Sequence, residues 1–385
     1  MDFALDVRTE QLRAEVRQMI REHLTPAVAE RVAATGGSRH DPQFHAEMAR
    51  RGWITPNWPE REGGLGWDRG DLDVMHEEFV VAGAPVMGVA LTRIVAETLR
   101  RVGTEEQKQR ILGPVRAGEL VMCLGYTEPE AGSDLASVRT AATKVEGGWV
   151  ITGQKIFTTL ADQADYVWLL ARTDPQAPRH AGMTIFLVPT NAPGFSLAPV
   201  HTLSGERTNI TYYSEVFVDD TALVGQPGDG WRIVSLALAF ERGGEFTGLL
   251  RRLVESTTEW LREAGPVVTA RAARRLGRAI AEAEVSRLLG AQASAARSAG
   301  DGGYVQGAMA KVYATQSLQR TTSSLLDATG EAGMLNPGSA AAPGAGDIQL
   351  LYRESQIATI YGGSNEVLKT VIAQGRLGLP RATRA

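Results

Sequence analysis

The chain has 385 residues, a net charge of −4 and a sequence pI near 6.0, so it is too long for one ordinary core and lacks the basic field that nucleic-acid binding requires. A single cysteine, Cys123, excludes an intrachain disulfide and a cysteine-based metal site, and a small buried side chain is its expected role. The six histidines, His23, His40, His45, His76, His180 and His201, show no close metal-ligand pair.

Residues 1 to about 120 are expected to form an N-terminal helical domain. The opening MDFALDVRTEQLRAEVRQMI alternates charge and apolar residues at helical spacing and lacks the features of an export peptide. No run approaches the roughly 20 apolar residues of a membrane span, so a cytoplasmic location with no membrane partner is expected. Arg8 to His23 and Asp71 to Val81 carry apolar positions three or four apart, and Thr104 with Gln107 reads as a capping box. Gly52 to Gly70 is too rich in glycine and proline for a helix and reads as a structured loop.

From 121 to 229 the period shortens to that of a small β domain, with strand-like runs at Tyr166 to Ala171, Met183 to Val188 and Glu215 to Val218. The most informative span is Leu124 to Thr159, LGYTEPEAGSDLASVRTAATKVEGGWVITGQKIFTT. Pro129 fixes φ and Gly132 allows a turn where a Cβ would clash. Glu146-Gly147-Gly148 signals a hairpin between β-rich flanks. Its loop end presents Thr127 and Ser133 beside Thr158 and Thr159, so amides and hydroxyls converge on one edge, with Phe157 available to cover a flat ligand. From 230 to 385 helical patterns return, interrupted at Gly300 to Gly303 and by the loop Asn336 to Asp347. The glycines near 225 to 230 lack a surrounding strand-turn-helix unit and are not a dinucleotide fingerprint.

The Leu124–Thr159 segment resembles the flavin-binding segment of the acyl-CoA dehydrogenases. GWITPNWPEREGGLG, GTEEQKQRILGPVRAGE, GMTIFLVPTNAPGF, ALVGQPGDGW and IYGGSNEV stand in the order of that family's landmarks. The resemblance implies an α+β fold: an N-terminal helical domain, a central β domain and a C-terminal four-helix-type bundle. It implies FAD held by Leu124, Tyr126, Thr127, Gly132, Ser133, Phe157, Thr158, Thr159, Ser364 and Glu366, with Ser133, Arg242 and Gly362 contacting an acyl-CoA or related acyl thioester. Electrons would pass to an electron-transfer flavoprotein.

Family chemistry takes a proton from the α-carbon and needs a carboxylate base. The position that carries this base in much of the family is Gly362 here, which keeps only an N–H able to polarise the thioester carbonyl. Some members carry the base on a preceding helix immediately before an arginine, and the match is Phe240-Glu241-Arg242. Glu241 follows the apolar run Ile233 to Phe240, where a carboxylate is costly to bury. Gly243 and Gly244 come next, each costing about 1 kcal/mol in a helix interior. A ligand approaching closely accounts for both features, and desolvation there raises a carboxyl pKa toward the range useful for proton abstraction. A solvated helix face bearing Glu241 and Glu245 is the alternative.

Two segments that family homo-oligomers lend to a neighbour's flavin match WLREAG, Trp260 to Gly265, and DATGEAGM, Asp327 to Met334, and both look degraded. The pattern resembles actinobacterial hetero-oligomeric enzymes, several acting on steroid side chains, in which an unlike homologous subunit supplies the missing arm. A homo-oligomer using Arg262 or Arg271 instead is the alternative. A flavin oxidase or N-oxygenating enzyme on the same fold, a noncatalytic subunit, and a carrier-protein thioester as substrate also remain open.

Overall fold

The computed structural model describes residues 7–241, 245–263, 265–298 and 303–380, excepting the side chains of 239–241, 266–269, 271 and 298. In chain order the elements are α1 (Val7–His23), α2 (Pro26–Ala34), α3 (Pro42–Arg50), α4 (Arg69–Val81), α5 (Met87–Val102) and α6 (Glu105–Arg116). The strands follow: β1 (Met122–Gly125), β2 (Ala141–Val145), β3 (Gly148–Lys155), β4 (Tyr166–Arg172), β5 (Met183–Pro189), β6 (Phe195–His201), β7 (Arg207–Asp219) and β8 (Leu223–Val224). The remaining helices are α7 (Gly230–Glu241), α8 (Glu245–Glu263), α9 (Pro266–Ser298), α10 (Tyr304–Thr329), α11 (Asp347–Ala358) and α12 (Asn365–Gly375).

These elements form two compact units, one of residues 22–66 and 85–241, the other of 1–21, 67–84 and 242–385. The first is built on a mixed sheet in the order β6-β7-β3-β2-β4-β5-β8, with β1 added parallel to β4. Its core interleaves Val167, Leu169 and Ala171 of β4 with Ile151, Phe186, Val188, Tyr213 and Val216, and Cys123 is buried among them. Burial pushes the Cys123 thiol up, away from thiolate chemistry. Within this unit α5 packs on β1 and α7, and α7 on β5. Helix α6 begins at the expected capping box, with Thr104 Oγ1 accepting from the Gln107 amide at 3.2 Å and Gln107 Oε1 accepting from the Thr104 amide at 3.0 Å.

Strands β6 and β7 are among those that exceed the sequence reading. Apolar runs mark only Glu215 to Val218, yet β7 starts at Arg207, and the buried Thr208, Asn209 and Thr211 hydrogen-bond through their side chains to Thr158 and Thr159 in the turn that follows β3. Strand β6 carries no strong alternation and is held by its antiparallel ladder to β7. The hairpin falls where Glu146-Gly147-Gly148 places it: Val145 pairs with Gly148, and Gly147 takes a φ of 74°.

In the second unit α10 packs against α9, α8, α11 and α12, and α4 lies on α8. The core is Leu249, Leu250, Leu253, Leu318, Leu325, Ile348 and Leu351. Arginines Arg13, Arg17 and Arg251 converge on Glu78, which is 3% exposed, at 3.1, 2.8 and 2.7 Å. One carboxylate thereby joins α1, α4 and α8.

A buried histidine pair in the first unit gives an acid-stability prediction. His40 and His45 are 4% and 2% exposed with ring centroids 5.1 Å apart, and neither ring nitrogen of His45 has a hydrogen-bond partner among the described residues. Burial pushes His45 down to about 4 and His40 also downward, the latter opposed by Asp41, Asp162 and Asp165. Because the unfolded histidine binds its proton below about 6.5 and the native one only near 4, His45 removes stability as pH falls through that window, by about 3 kcal/mol in all. Denaturant midpoints of wild type and His45→Phe, compared at pH 7 and pH 4.5, should show the wild type losing more; equal losses would contradict a neutral buried His45.

Candidate active site

Strand β1 ends at Gly125 and leads through Tyr126 and Thr127 into a tight turn in which the Glu128 and Ala131 amides and carbonyls pair at 3.0 and 3.1 Å. Tyr126 is buried, Thr127 half-buried, and Gly132 and Ser133 are exposed. Leu124, half-buried on β1, pairs with Trp168. A Cβ at Gly132 would meet only Thr127 Cγ2, at 3.9 Å, so the loop leaves open space there. The far side of the loop is pinned by Arg172, whose Nη2 donates to the Ala136 carbonyl at 2.6 Å.

The end of β3 runs beside this turn. The Ile156 amide donates to the Thr127 carbonyl at 2.9 Å. Phe157 then takes a φ of 59° while 56% exposed, a combination that costs backbone strain and places an apolar ring in water. Next to it, the Thr158 amide donates to the Asn209 carbonyl at 2.9 Å, and the Thr158 and Thr159 hydroxyls pair with those of Thr211 and Thr208 at 3.3 and 3.1 Å. Asn209 Nδ2 in turn donates to Asp162 Oδ1 at 2.9 Å and to the Thr158 carbonyl at 3.3 Å. The structure thus brings Thr127 and the Phe157–Thr159 run together on one edge. That edge fits a flavin through half-buried Thr127, the room left at Gly132 and the flat apolar surface of exposed, strained Phe157, whereas Thr158 is fully buried with its amide and hydroxyl already paired inside the protein.

Sequence reasoning missed the groups beneath this edge. Lys155, the last residue of β3, is fully buried, and its Nζ donates to Glu128 Oε1 at 2.8 Å and to the Tyr126 carbonyl at 3.1 Å. The signal was present, since Lys155 shares its strand parity with inward-facing Trp149 and Ile151.

In the other unit, residues Tyr361 to Ser364 form a loop before α12. Gly362 and Gly363 have φ of 65° and 87°, and a Cβ at Gly362 would meet nothing within 4 Å. The loop is anchored from below: Lys311 Nζ donates to the Gly363 carbonyl at 3.0 Å and to Asn365 Oδ1 at 3.1 Å, and Tyr361 OH donates to Glu245 Oε1 at 2.9 Å. Ser364 is the N-cap of α12, accepting from the Val367 amide at 3.4 Å, and Glu366 sits exposed in the first turn. The Ser364 hydroxyl therefore already serves the helix.

Glu241 is the final residue of α7, behind the buried Ile233, Val234 and Ala237. Its side chain, and Arg242 entirely, lie outside the described residues. Of the two arginines that could substitute in a homo-oligomer, Arg262 is exposed in the last turn of α8 and the Arg271 side chain lies outside the described residues. Asp327 on α10 is largely exposed and paired with Arg275 Nη1 at 2.6 Å.

Comparison with known proteins agrees along the whole chain. Residues 7–119, 123–221 and 228–377 match the acyl-CoA dehydrogenase N-terminal, middle and C-terminal domains. The chain is 35% identical over 402 residues to "Acyl-CoA dehydrogenase FadE26" of Mycobacterium tuberculosis, covering 100% of both. Among solved structures, "Tcur3481-Tcur3483 steroid ACAD" matches with a TM-score of 0.91 and 36% identity over 99% of this chain and 100% of that one. The "ChsE4-ChsE5 complex from Mycobacterium tuberculosis" matches with a TM-score of 0.89 and 33% identity, covering 99% and 100%.

Proposed function

The chain belongs to the acyl-CoA dehydrogenase family, an FAD-dependent group of oxidoreductases, and from that premise we propose that it removes the α-proton of a bulky acyl-CoA with Glu241. The observation that carries the reading is the edge built by Thr127 and the Phe157–Thr159 run, where strain and exposure at Phe157 are accounted for by a flat ligand. Bound FAD supplies the hydride acceptor. The chain's own residues do the rest. Thr127 and Thr159, with Leu124, Tyr126 and Gly132, hold the ring system, buried Thr158 backs them through its bonds to Asn209 and Thr211, and Phe157 covers the ring. Ser133 and Arg242 orient the thioester arm, and the Gly362 N–H polarises its carbonyl, stabilising charge that develops as the α-proton leaves. Ser364 and Glu366 act at the α12 start, Ser364 through its amide because its hydroxyl caps the helix.

A base at the end of α7 leaves Gly362 without a side chain, and open space at that glycine favours a bulky acyl group. The steroid enzyme at 36% identity points to the same class, a ring-bearing or branched acyl-CoA. An electron-transfer flavoprotein is the proposed electron acceptor, and the cytoplasm the proposed location; among the described residues no helix is long and apolar enough to cross a membrane.

We further propose that the active form contains a homologous, unlike subunit. The two segments that family homo-oligomers lend to a neighbour's flavin, Trp260 to Gly265 and Asp327 to Met334, look degraded here, and Asp327 is tied to Arg275 of its own chain at 2.6 Å. Two related structures are two-name assemblies. The test is FAD stoichiometry of the chain purified alone and after co-expression with a homologous subunit. FAD retained only with the partner supports the split site. One FAD per chain in a homo-oligomer overturns it.

A further inference from the structure

We propose that the buried Glu128–Lys155 ion pair is a positioning pair that fixes the FAD-holding edge in its binding register. The inference rests on the flavin reading of that edge.

The geometry is unusual for a structural ion pair. Lys155 is fully buried and Glu128 is 6% exposed, so the charges have left water and depend on their protein partners. Each partner is a piece of the same edge. Lys155 Nζ grips the Glu128 carboxylate at 2.8 Å and the Tyr126 carbonyl at 3.1 Å, one residue on either side of Thr127. The Thr127 carbonyl itself accepts from the Ile156 amide at 2.9 Å. All three residues of the 126–128 stretch are therefore held by the two residues that lead directly into Phe157. The Glu128 carboxylate also reaches the other way, accepting from the Thr140 amide at 2.9 Å and the Arg139 amide at 2.6 Å just before β2.

Burial raises the Glu128 carboxyl, but Lys155 and the Thr140 and Arg139 donors outweigh it and keep the group ionised. Burial pushes Lys155 down to about 8 against the pull of Glu128, which leaves it charged at neutral pH. A hydrophobic pair of the same volume would hold the sheet together as well or better. It would not fix the directions of the Tyr126 carbonyl and the Thr127 backbone, on which hydrogen-bonding geometry to a ligand depends. The chain thus carries a costly pair at the one place where segment 126–128 must be registered against 157–159.

The test compares three variants of the holoenzyme, following FAD release by the rise in flavin fluorescence and the vibronic structure of the bound flavin's absorption band. Glu128→Asp keeps the charge and shortens the reach. Glu128→Gln/Lys155→Met removes both charges together, avoiding an unpaired buried ion. Val216→Ala opens a cavity in the same sheet, at the residue paired with Ile151, as a control for general loss of stability. The expected result is FAD release at least about tenfold faster in the first two, with a blurred flavin band, and release at the wild-type rate in Val216→Ala. Release in Glu128→Asp no faster than in Val216→Ala overturns the proposal, and this comparison decides the matter even where the double variant fails to fold. A wild-type protein that never binds FAD, alone or with a partner, instead refutes the flavin reading itself.

Discussion

Replacing Glu241 by Gln is expected to lower kcat by about 10²–10⁴-fold while leaving FAD content and the flavin spectrum unchanged. The amide keeps the shape and hydrogen-bonding reach of the carboxylate and removes its ability to accept a proton. Acyl-CoA affinity should move only a few-fold, because the lost interaction belongs to the transition state. The position favours this role: α7 buries Ile233, Val234 and Ala237 and delivers Glu241 at its end. Stopped-flow measurement of flavin reduction under anaerobic conditions checks it. A loss of less than about tenfold would move the base elsewhere.

The second large effect is on stability. Glu78→Gln leaves Arg13, Arg17 and Arg251 facing a neutral amide at a site 3% exposed, and should destabilise the second unit by about 3 kcal/mol, the lower end expected when one partner of a buried ion pair is removed. Arg17 is half-exposed and solvent screens part of its share. Loss of the carboxylate severs α1, α4 and α8 together, so the effect should exceed that of Asp71→Asn, whose partner Arg8 is 65% exposed. Thermal denaturation of both variants provides the comparison; equal and small shifts would show that α1 is held by packing alone.

The fold order was legible because helix and strand periods differ and because turn chemistry marks each change. Thr104 with Gln107 and the Glu146-Gly147 hairpin are local signals set by a few residues, and the structure places both where those signals stand. The first half of β7 was not legible, since Thr208, Asn209 and Thr211 read as loop residues until the turn after β3 brings Thr158 and Thr159 to them. The same limit hid Lys155, Glu128, Lys311 and Glu78. A charged residue reads as solvated unless its distant counterpart is known, and Glu78 meets Arg251 across 173 positions of sequence. At the site, the turn and strand end of the flavin edge were legible as glycine, proline and hydroxyl positions. The ties that register one against the other were not.

As a member of the acyl-CoA dehydrogenase family, this chain should oxidise an acyl-CoA with FAD as the immediate electron acceptor. The most direct test is anaerobic mixing of the FAD-loaded enzyme with short, branched and steroid-type acyl-CoAs, reading flavin absorbance and enoyl-CoA together. Bleaching of the flavin in step with one enoyl-CoA formed per FAD, selective for bulky acyl groups, is the predicted result. A flavin that stays oxidised with every thioester, or product that forms only when oxygen is admitted, would contradict it.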